Sequence, residues 1–342
     1  MKRGIIFVVL IILVGSVFLY FSPSFSLSSL PPTAASVVRT SIADQGNISL
    51  LFCPDDPCEE AVVNLLASAQ ESIYCALYDI GLESVQQTLF AQSEKIEVKI
   101  VTDDDYLHKF HHPFVRADRS GLMHNKFCIV DHKRMYTGSM NPTNNDAHKN
   151  NNNLFLIEST VVSDLYEQEF KELWNGTFKK GNLITTPSVT IDNTTLEIYF
   201  CPEDHCADHA SEELFQAKRS IYFMTFSFTH ERIAHALLLK HLDHLTIYGI
   251  MEKTQLSDYS KYDQLVHAGI PVLIDANKNN LHHKVFIIDE ETVITGSFNP
   301  TAGGDQRNDE NMLIIHDRNI AKLFIEEFWE EYALAEAQVA SQ

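Results

Sequence analysis

The chain contains two copies of itself, and this constrains its fold more than any single motif. Leu50-Leu51-Phe52-Cys53-Pro54-Asp55-Asp56-Pro57-Cys58 returns as Ile198-Tyr199-Phe200-Cys201-Pro202-Glu203-Asp204-His205-Cys206, and Ser72-Ile73-Tyr74 returns as Ser220-Ile221-Tyr222, 148 residues on. From His124-Asn125-Lys126 against His282-His283-Lys284 the offset is 158 and persists to Phe170 and Phe328, so the second copy is longer by ten residues (158 − 148). The extra residues fall within 255–280, where 262–266 reads as an added helical turn ahead of a strand at 270–274. A length of 342 residues suits two such units, each able to bury a core.

Each copy has the same plan. An apolar strand enters the Cys-Pro segment, and a helix follows (59–70, 207–218). Then come a continuous apolar strand (73–78, 221–228), a helix and another strand (96–102, 245–250). The His-x-Lys strand (126–130, 284–288) precedes a turn, a strand into Gly-Ser, a last strand (154–157, 312–315) and a closing amphipathic helix (162–174, 319–332). Unbroken apolar strands alternating with helices imply a sheet covered on both faces. The expected fold is therefore α/β: two pseudo-symmetric α-β-α halves, each a mixed β-sheet flanked by helices, packed around one shared active site. The halves are expected at 48–178 and 195–335, joined by a linker at 179–194 that carries no clear period.

Ahead of them, Lys2 and Arg3 precede an uncharged run at 5–21 broken only by Gly15 and Ser16. At 1.5 Å per residue this run is about 26 Å long, at the short end of what crosses a bilayer. It reads as a transmembrane signal anchor (1–21) with a cytoplasmic N-terminus, followed by a Ser/Pro-rich stalk (22–47) and an extracytoplasmic catalytic part. A cleaved signal peptide and secretion are the alternative.

The chemistry lies in a pattern present in both copies, H-x-K-x4-D-x6-G-S-x-N. The first is His124, Lys126, Asp131, Gly138, Ser139 and Asn141; the second is His282, Lys284, Asp289, Gly296, Ser297 and Asn299. Residues two apart on a strand share a face, so each His projects with its Lys. Two such faces brought together make an anion site holding a nucleophile and an acid. The lysines supply charge to phosphate oxygens, Asn and Ser supply neutral donors, and two histidines divide a displacement into two steps. The lysines fill the charge-neutralising role, so neither a metal nor a cofactor is required.

These residues resemble the phospholipase D superfamily, whose hallmark is a duplicated H-x-K-x4-D motif, over nearly all of 48–335. The Cys-Pro segments and Ser-Ile-Tyr are similar to its compact nuclease-like branch, with both halves fused in one chain. The resemblance implies a covalent phosphohistidine, one site shared by the two motifs, and a structural role for Asp131 and Asp289. It also implies an acidic residue that hydrogen-bonds a catalytic His. Glu310 holds that position in the second copy, but the first has Asn152, so a single histidine is expected to have a carboxylate partner. If the support crosses between halves, Glu310 serves His124 as nucleophile and His282 is the acid; if it stays within its half, the roles reverse.

Of the six cysteines, the matched pairs Cys53/Cys58 and Cys201/Cys206 are disulfide candidates in a translocated chain, with one zinc site or free thiols as rivals. Cys75 and Cys128 lie in apolar strands and read as buried core thiols. His108, His111 and His112 read as loop residues near the cleft mouth, and His283 as facing the core. The substrate is a phosphodiester. A net charge of −20 and a membrane anchor favour phospholipid, while compact size and the nuclease-like segments favour nucleic acid. With its pseudo-dimer inside one chain, the protein is expected to be a monomer.

Overall fold

The computed structural model describes residues 41–341 apart from Ser120. The expected anchor and most of the expected stalk lie outside the described residues; among the described residues no helix is long and apolar enough to cross a membrane. After β1 (Ile42–Asp44), the first half comprises β2 (Asn47–Cys53), α1 (Cys58–Ala67), β3 (Ser72–Leu77), α2 (Glu83–Ser93), β4 (Glu97–Thr102), β5 (Val115–Ala117), β6 (Lys126–Val130), β7 (Arg134–Gly138), α3 (Asn144–His148), β8 (Asn152–Glu158) and α4 (Thr160–Trp174). Strand β9 (Ser188–Ile191) then leads into the second half: β10 (Thr194–Cys201), α5 (Cys206–Gln216), β11 (Ser220–Thr225), α6 (Glu231–Leu242), β12 (Thr246–Met251), α7 (Tyr262–His267), β13 (Val272–Ile274), β14 (Lys284–Ile288), β15 (Thr292–Gly296), α8 (Ala302–Gln306), β16 (Glu310–His316) and α9 (Arg318–Ala340).

The sheets have matching strand orders. The first runs β2-β8-β7-β6-β3-β4-β5; the second runs β10-β16-β15-β14-β11-β12-β13 and adds β9 and β1 beyond β10. Strands β3, β4 and β5 are parallel, as are their counterparts, and β6, β7 and β8 pair antiparallel. Every residue of β3 and β11 is buried, as expected for strands covered on both faces. The outer face of each sheet packs under a helix pair, with Val62, Leu66 and Leu89 in the first half and Leu214, Ile233 and Leu237 in the second. Both inner faces contribute to one central core together with α4 and α9, through Phe127, Tyr166, Phe170, Phe200, Tyr222, Phe324 and Phe328. This shared core holds the two motif strands against each other.

Strands β1 and β9 fall in the segments expected to be stalk and linker. Their three and four residues are too short to show a period. They are strands because β10 offers a free edge: β9 pairs antiparallel with β10, and β1 pairs parallel with β9.

All six cysteines are bonded, in three disulfides. Cys53–Cys58 and Cys201–Cys206 are disulfides, so these thiols do not form a zinc site. Cys75 and Cys128, expected as free core thiols, are also joined. They are buried as expected, but they stand directly opposite each other on antiparallel β3 and β6, with Cα atoms 4.1 Å apart. In the second half Phe223 and Phe286 occupy the same opposed positions with ring centroids 5.9 Å apart, so a hydrophobic pair replaces the bridge. Thiol titration of the denatured, unreduced protein is expected to find essentially no free thiol, and titration after reduction the full six; four reactive thiols before reduction would contradict the bonding described.

Candidate active site

Each motif histidine sits just before its strand and is stitched by main chain to the opposite half. The N–H of His124 donates to the carbonyl of Asp309 at 2.8 Å, and that of His282 donates to the carbonyl of Asn151 at 2.9 Å. The next residue along each partner segment then reaches the imidazole. His124 Nδ1 lies 2.7 Å from Glu310 Oε2, and His282 Nδ1 lies 2.9 Å from Asn152 Oδ1. Support therefore crosses between halves, which was one of the two arrangements left open by the sequence. With Nδ1 occupied, Nε2 is the nitrogen available for chemistry on each ring.

The Gly-Ser turns do a different task from the one expected. Ser139 Oγ donates to Asn152 Oδ1 at 2.9 Å, and Ser297 Oγ donates to Glu310 Oε2 at 2.7 Å. Both hydroxyls are fully buried behind the residues that hold the histidines, so they orient those residues and do not meet the anion directly. Gly138 and Gly296 are required before them: both have positive φ (145° and 130°), and a Cβ would strike the carbonyl oxygen of Asn153 or Asn311. Lys126 and Lys284 are buried and donate to the carbonyls of His124 and His282 at 2.7 and 2.6 Å. Their ammonium groups lie over the rings of Tyr78 and Phe226, 5.2 and 5.0 Å from the centroids. The same two rings meet His124 and His282 edge-on at 4.8 Å.

Asp131 and Asp289 lie away from this cleft. Asp131 accepts the N–H groups of Gln70, Glu71 and Ser72, and Asp289 those of Lys218, Arg219 and Ser220. Burial opposes charge on Asp131, but the hydrogen bonds from Glu71, Gln70 and Ser72 overcome it and hold the carboxyl below its usual range. Each pins a helix-to-strand turn to the end of a motif strand. His108, His111 and His112 lie on the loop between β4 and β5. That loop reaches the cleft through Tyr106, whose ring packs on Tyr78 at 4.8 Å. His283 is fully buried in the core as expected, its Nε2 3.1 Å from Glu327 Oε1 and its Nδ1 3.1 Å from the side-chain amide nitrogen of Asn153.

One residue was missed. Asp146 Oδ2 lies 3.4 Å from His282 Nδ1 and accepts both the backbone and side-chain N–H of Asn141 at 2.8 and 2.7 Å. His282 thus has a carboxylate beside it, although its hydrogen bond is to Asn152, and the expectation of one acid-supported histidine is corrected. The signal lay in the repeat: the counterpart of Asp146 is Gly304, just as the counterpart of Glu310 is Asn152. The copies have exchanged the position of their acid. The Oδ1 atoms of Asn141 and of its equivalent Asn299 are buried without a partner among the described residues.

Burial sets the electrostatics. It pushes His124 below its ordinary value of 6.5; the charge of Glu310 opposes this and Lys126 reinforces it. Burial, then Lys284 and Lys126, hold His282 well below 6.5. Lys126 is lowered by burial to about 8 against the pull of Glu310 and Asp146, and Lys284 is driven well below its usual value by burial and by Lys126. The cleft's own groups are therefore poorly tolerant of positive charge, and an entering anion relieves it.

The family profile described as "Cardiolipin synthase, PLD-like domain" matches residues 62–174 and 211–332. The chain belongs to the phospholipase D-like family. One matched segment falls in each half, and the chain is an enzyme of the phosphodiester-hydrolase type. It is similar to a protein named phospholipase D from Rickettsia prowazekii, 28% identical over 195 residues that make up 53% of this chain and 94% of that one. It is also similar to the mitochondrial cardiolipin hydrolase of Xenopus laevis, 34% identical over 39% of this chain and 66% of that one. Among solved structures, phosphatidylserine synthase from Haemophilus influenzae shares the fold, with a TM-score of 0.62 at 12% identity over 84% of this chain and 86% of that one.

A reaction that needs one histidine neutral and the other protonated is fastest midway between their two pKa values. Both are lowered from 6.5, so kcat/KM is expected to peak below pH 6.5. Glu310→Gln removes the charge that raises His124, so its pKa falls further. The peak should then move to lower pH, with a rate loss of roughly 10–100-fold, the scale of losing a histidine's orienting partner. A pH–rate profile of the two proteins checks both the direction and the size.

Proposed function

We propose that the protein hydrolyses the headgroup phosphodiester of a phospholipid, giving phosphatidate, through a phosphohistidine. The observation that supports this most is the crossed pair of bonds, Glu310 to His124 and Asn152 to His282, which builds one cleft from two motifs. Neutral His124 attacks phosphorus through Nε2, with its Nδ1–H held by Glu310, which stabilises the cation as the P–N bond forms. Protonated His282 gives its proton to the headgroup oxygen as that P–O bond breaks. His282, now neutral, takes a proton from water as the water oxygen attacks the phosphohistidine, and His124 leaves as the neutral imidazole. Lys126 and Lys284 regain charge against the bound anion and neutralise what develops on its oxygens.

Phospholipid is favoured by the relatives named phospholipase D and cardiolipin hydrolase, and by the acidity of the chain. The three disulfides suit an extracytoplasmic catalytic part, in keeping with an anchor at 1–21 that sets it beside a membrane. A second reading, hydrolysis of single-stranded DNA or RNA, is favoured by one groove. There Arg116, Arg119, Lys179 and Lys180 converge with Trp174 and Phe178, a basic and aromatic lining unlike the rest of an acidic protein. Arg116 stacks on Trp174 at 3.9 Å, a surface on which a base could also stack.

Incubation with phosphatidylcholine vesicles and, separately, with single-stranded DNA and RNA separates the readings. Choline release is expected; shortened strands without choline would establish the nucleic-acid reading instead. His124→Ala and His282→Ala are each expected to remove nearly all activity, because nucleophile and acid work as a unit. Retention of half the rate in each would mean two independent sites. Protein quenched during turnover should carry its phosphate on His124, and label on His282 would reverse the assigned roles.

A further inference from the structure

Three carboxylates converge beside the linker, apart from the histidines. Glu169 and Glu172 stand one turn apart near the C-terminal end of α4, and Glu203 follows the Cys201-Pro202 turn of the second half. One oxygen from each lies within 4.8 Å of the other two. Glu169 is the unusual member. It is only 6% exposed, it points into the cluster, and it has no hydrogen-bond or ion-pair partner among the described residues. A carboxylate taken out of water beside two others, at the negative end of a helix, is costly unless something positive joins it.

The neighbouring chain does not supply that charge. The ammonium of Lys179 sits 2.7 Å from Asp118 and 3.7 Å from Asp309, so it is engaged by other acids. The linker instead passes its backbone over the carboxylates: a Cβ at Gly181 would collide with those of Glu172 and Glu203. The backbone and side-chain N–H groups of Asn182 bind Glu172 alone.

The geometry points to a divalent cation site for Ca²⁺, held by Glu169, Glu172 and Glu203. Calcium takes oxygen ligands at roughly 2.3–2.6 Å, so ligand atoms around one ion stand at most about 5 Å apart, and three oxygens all within 4.8 Å of one another can share one ion. Three carboxylates with no thiolate or imidazole among them suit a hard cation and not zinc. Water can complete the shell on the side where Glu172 and Glu203 are partly exposed. The ion would tie α4 of the first half to the Cys-Pro turn of the second across the linker. It is structural, because the linker N–H of Lys179 binds Asp309, whose carbonyl holds the backbone of His124, and no cluster residue touches either histidine.

The test is a thermal melt of the full chain stripped with EDTA, with and without Ca²⁺. At Ca²⁺ a hundredfold above its dissociation constant, the melting temperature is expected to rise by roughly 5 °C. Glu169→Gln and Glu203→Gln should each abolish that rise, and Glu169→Gln should melt above the wild type in EDTA because it removes repulsion that the ion would otherwise offset. Terbium luminescence of the wild type, sensitised through nearby Trp174 and displaced by Ca²⁺, reads the same site without any variant. No Ca²⁺-dependent rise, no displaceable terbium signal, or a full rise in both variants overturns the proposal. Hydrolysis below the EDTA-treated melting temperature is expected to survive chelation. Loss of turnover there, regained with Ca²⁺ while the melting response follows Glu169 and Glu203, would move the ion from structure to catalysis and overturn the structural role.

Discussion

The protein depends on a hydrogen bond that joins one copy of the repeat to the other. Glu310 belongs to the second sheet and holds the imidazole of the first; Asn152 belongs to the first and holds the imidazole of the second. Neither half has a complete site. The main-chain bonds from His124 to Asp309 and from His282 to Asn151 set the separation, and the central core of Phe127, Tyr166, Phe200 and Phe324 keeps the two sheets from sliding. Displacing one sheet by even a single residue would point each imidazole at the wrong neighbour, so a well-packed interface is a condition of the chemistry and not only of stability.

The same interface explains why so much polar chemistry survives without water. Lysines, histidines, asparagines and a glutamate sit together nearly fully buried. Several are satisfied by a partner across the seam: Asn311 bonds both Thr137 and Asn125, and Asn153 bonds both Thr295 and His283. A buried network of this kind is tolerable because its members are nearly all paired. The exceptions include Asn125 Nδ2 and the Oδ1 atoms of Asn141 and Asn299, the last two at matching positions of the two motifs.

Much of this was legible in the sequence because it repeats. The succession of strands and helices along each copy, the helices that cover the sheets, and the residues of the motif all follow from comparing the copies and from unbroken apolar strands. The crossing of support did not, since a strand pattern says which face a residue occupies but not which half it meets. Asp146 was visible only as a difference between the copies, opposite Gly304, and its meaning needed the geometry around His282. The role of Ser139 and Ser297 was misjudged because a hydroxyl after a turn can face a cleft or stand behind it. The bond between Cys75 and Cys128 was hidden because its counterpart is a pair of phenylalanines, and repetition is silent where the copies solve one position differently.

Strand β1 precedes the first half in sequence, yet it is hydrogen-bonded into the sheet of the second, through β9. This has a mechanical consequence. Tension applied at the N-terminal end of the described chain would be shared with the second half, even though Asp44 of β1 also accepts from Ser159 and Val161 at the start of α4. It would load the β1–β9 ladder and pass to β10 at the rim of the other sheet, bypassing β6 and β14. The strap acts as strain relief, and a tug on the leading end reaches the catalytic seam only after the edge has torn.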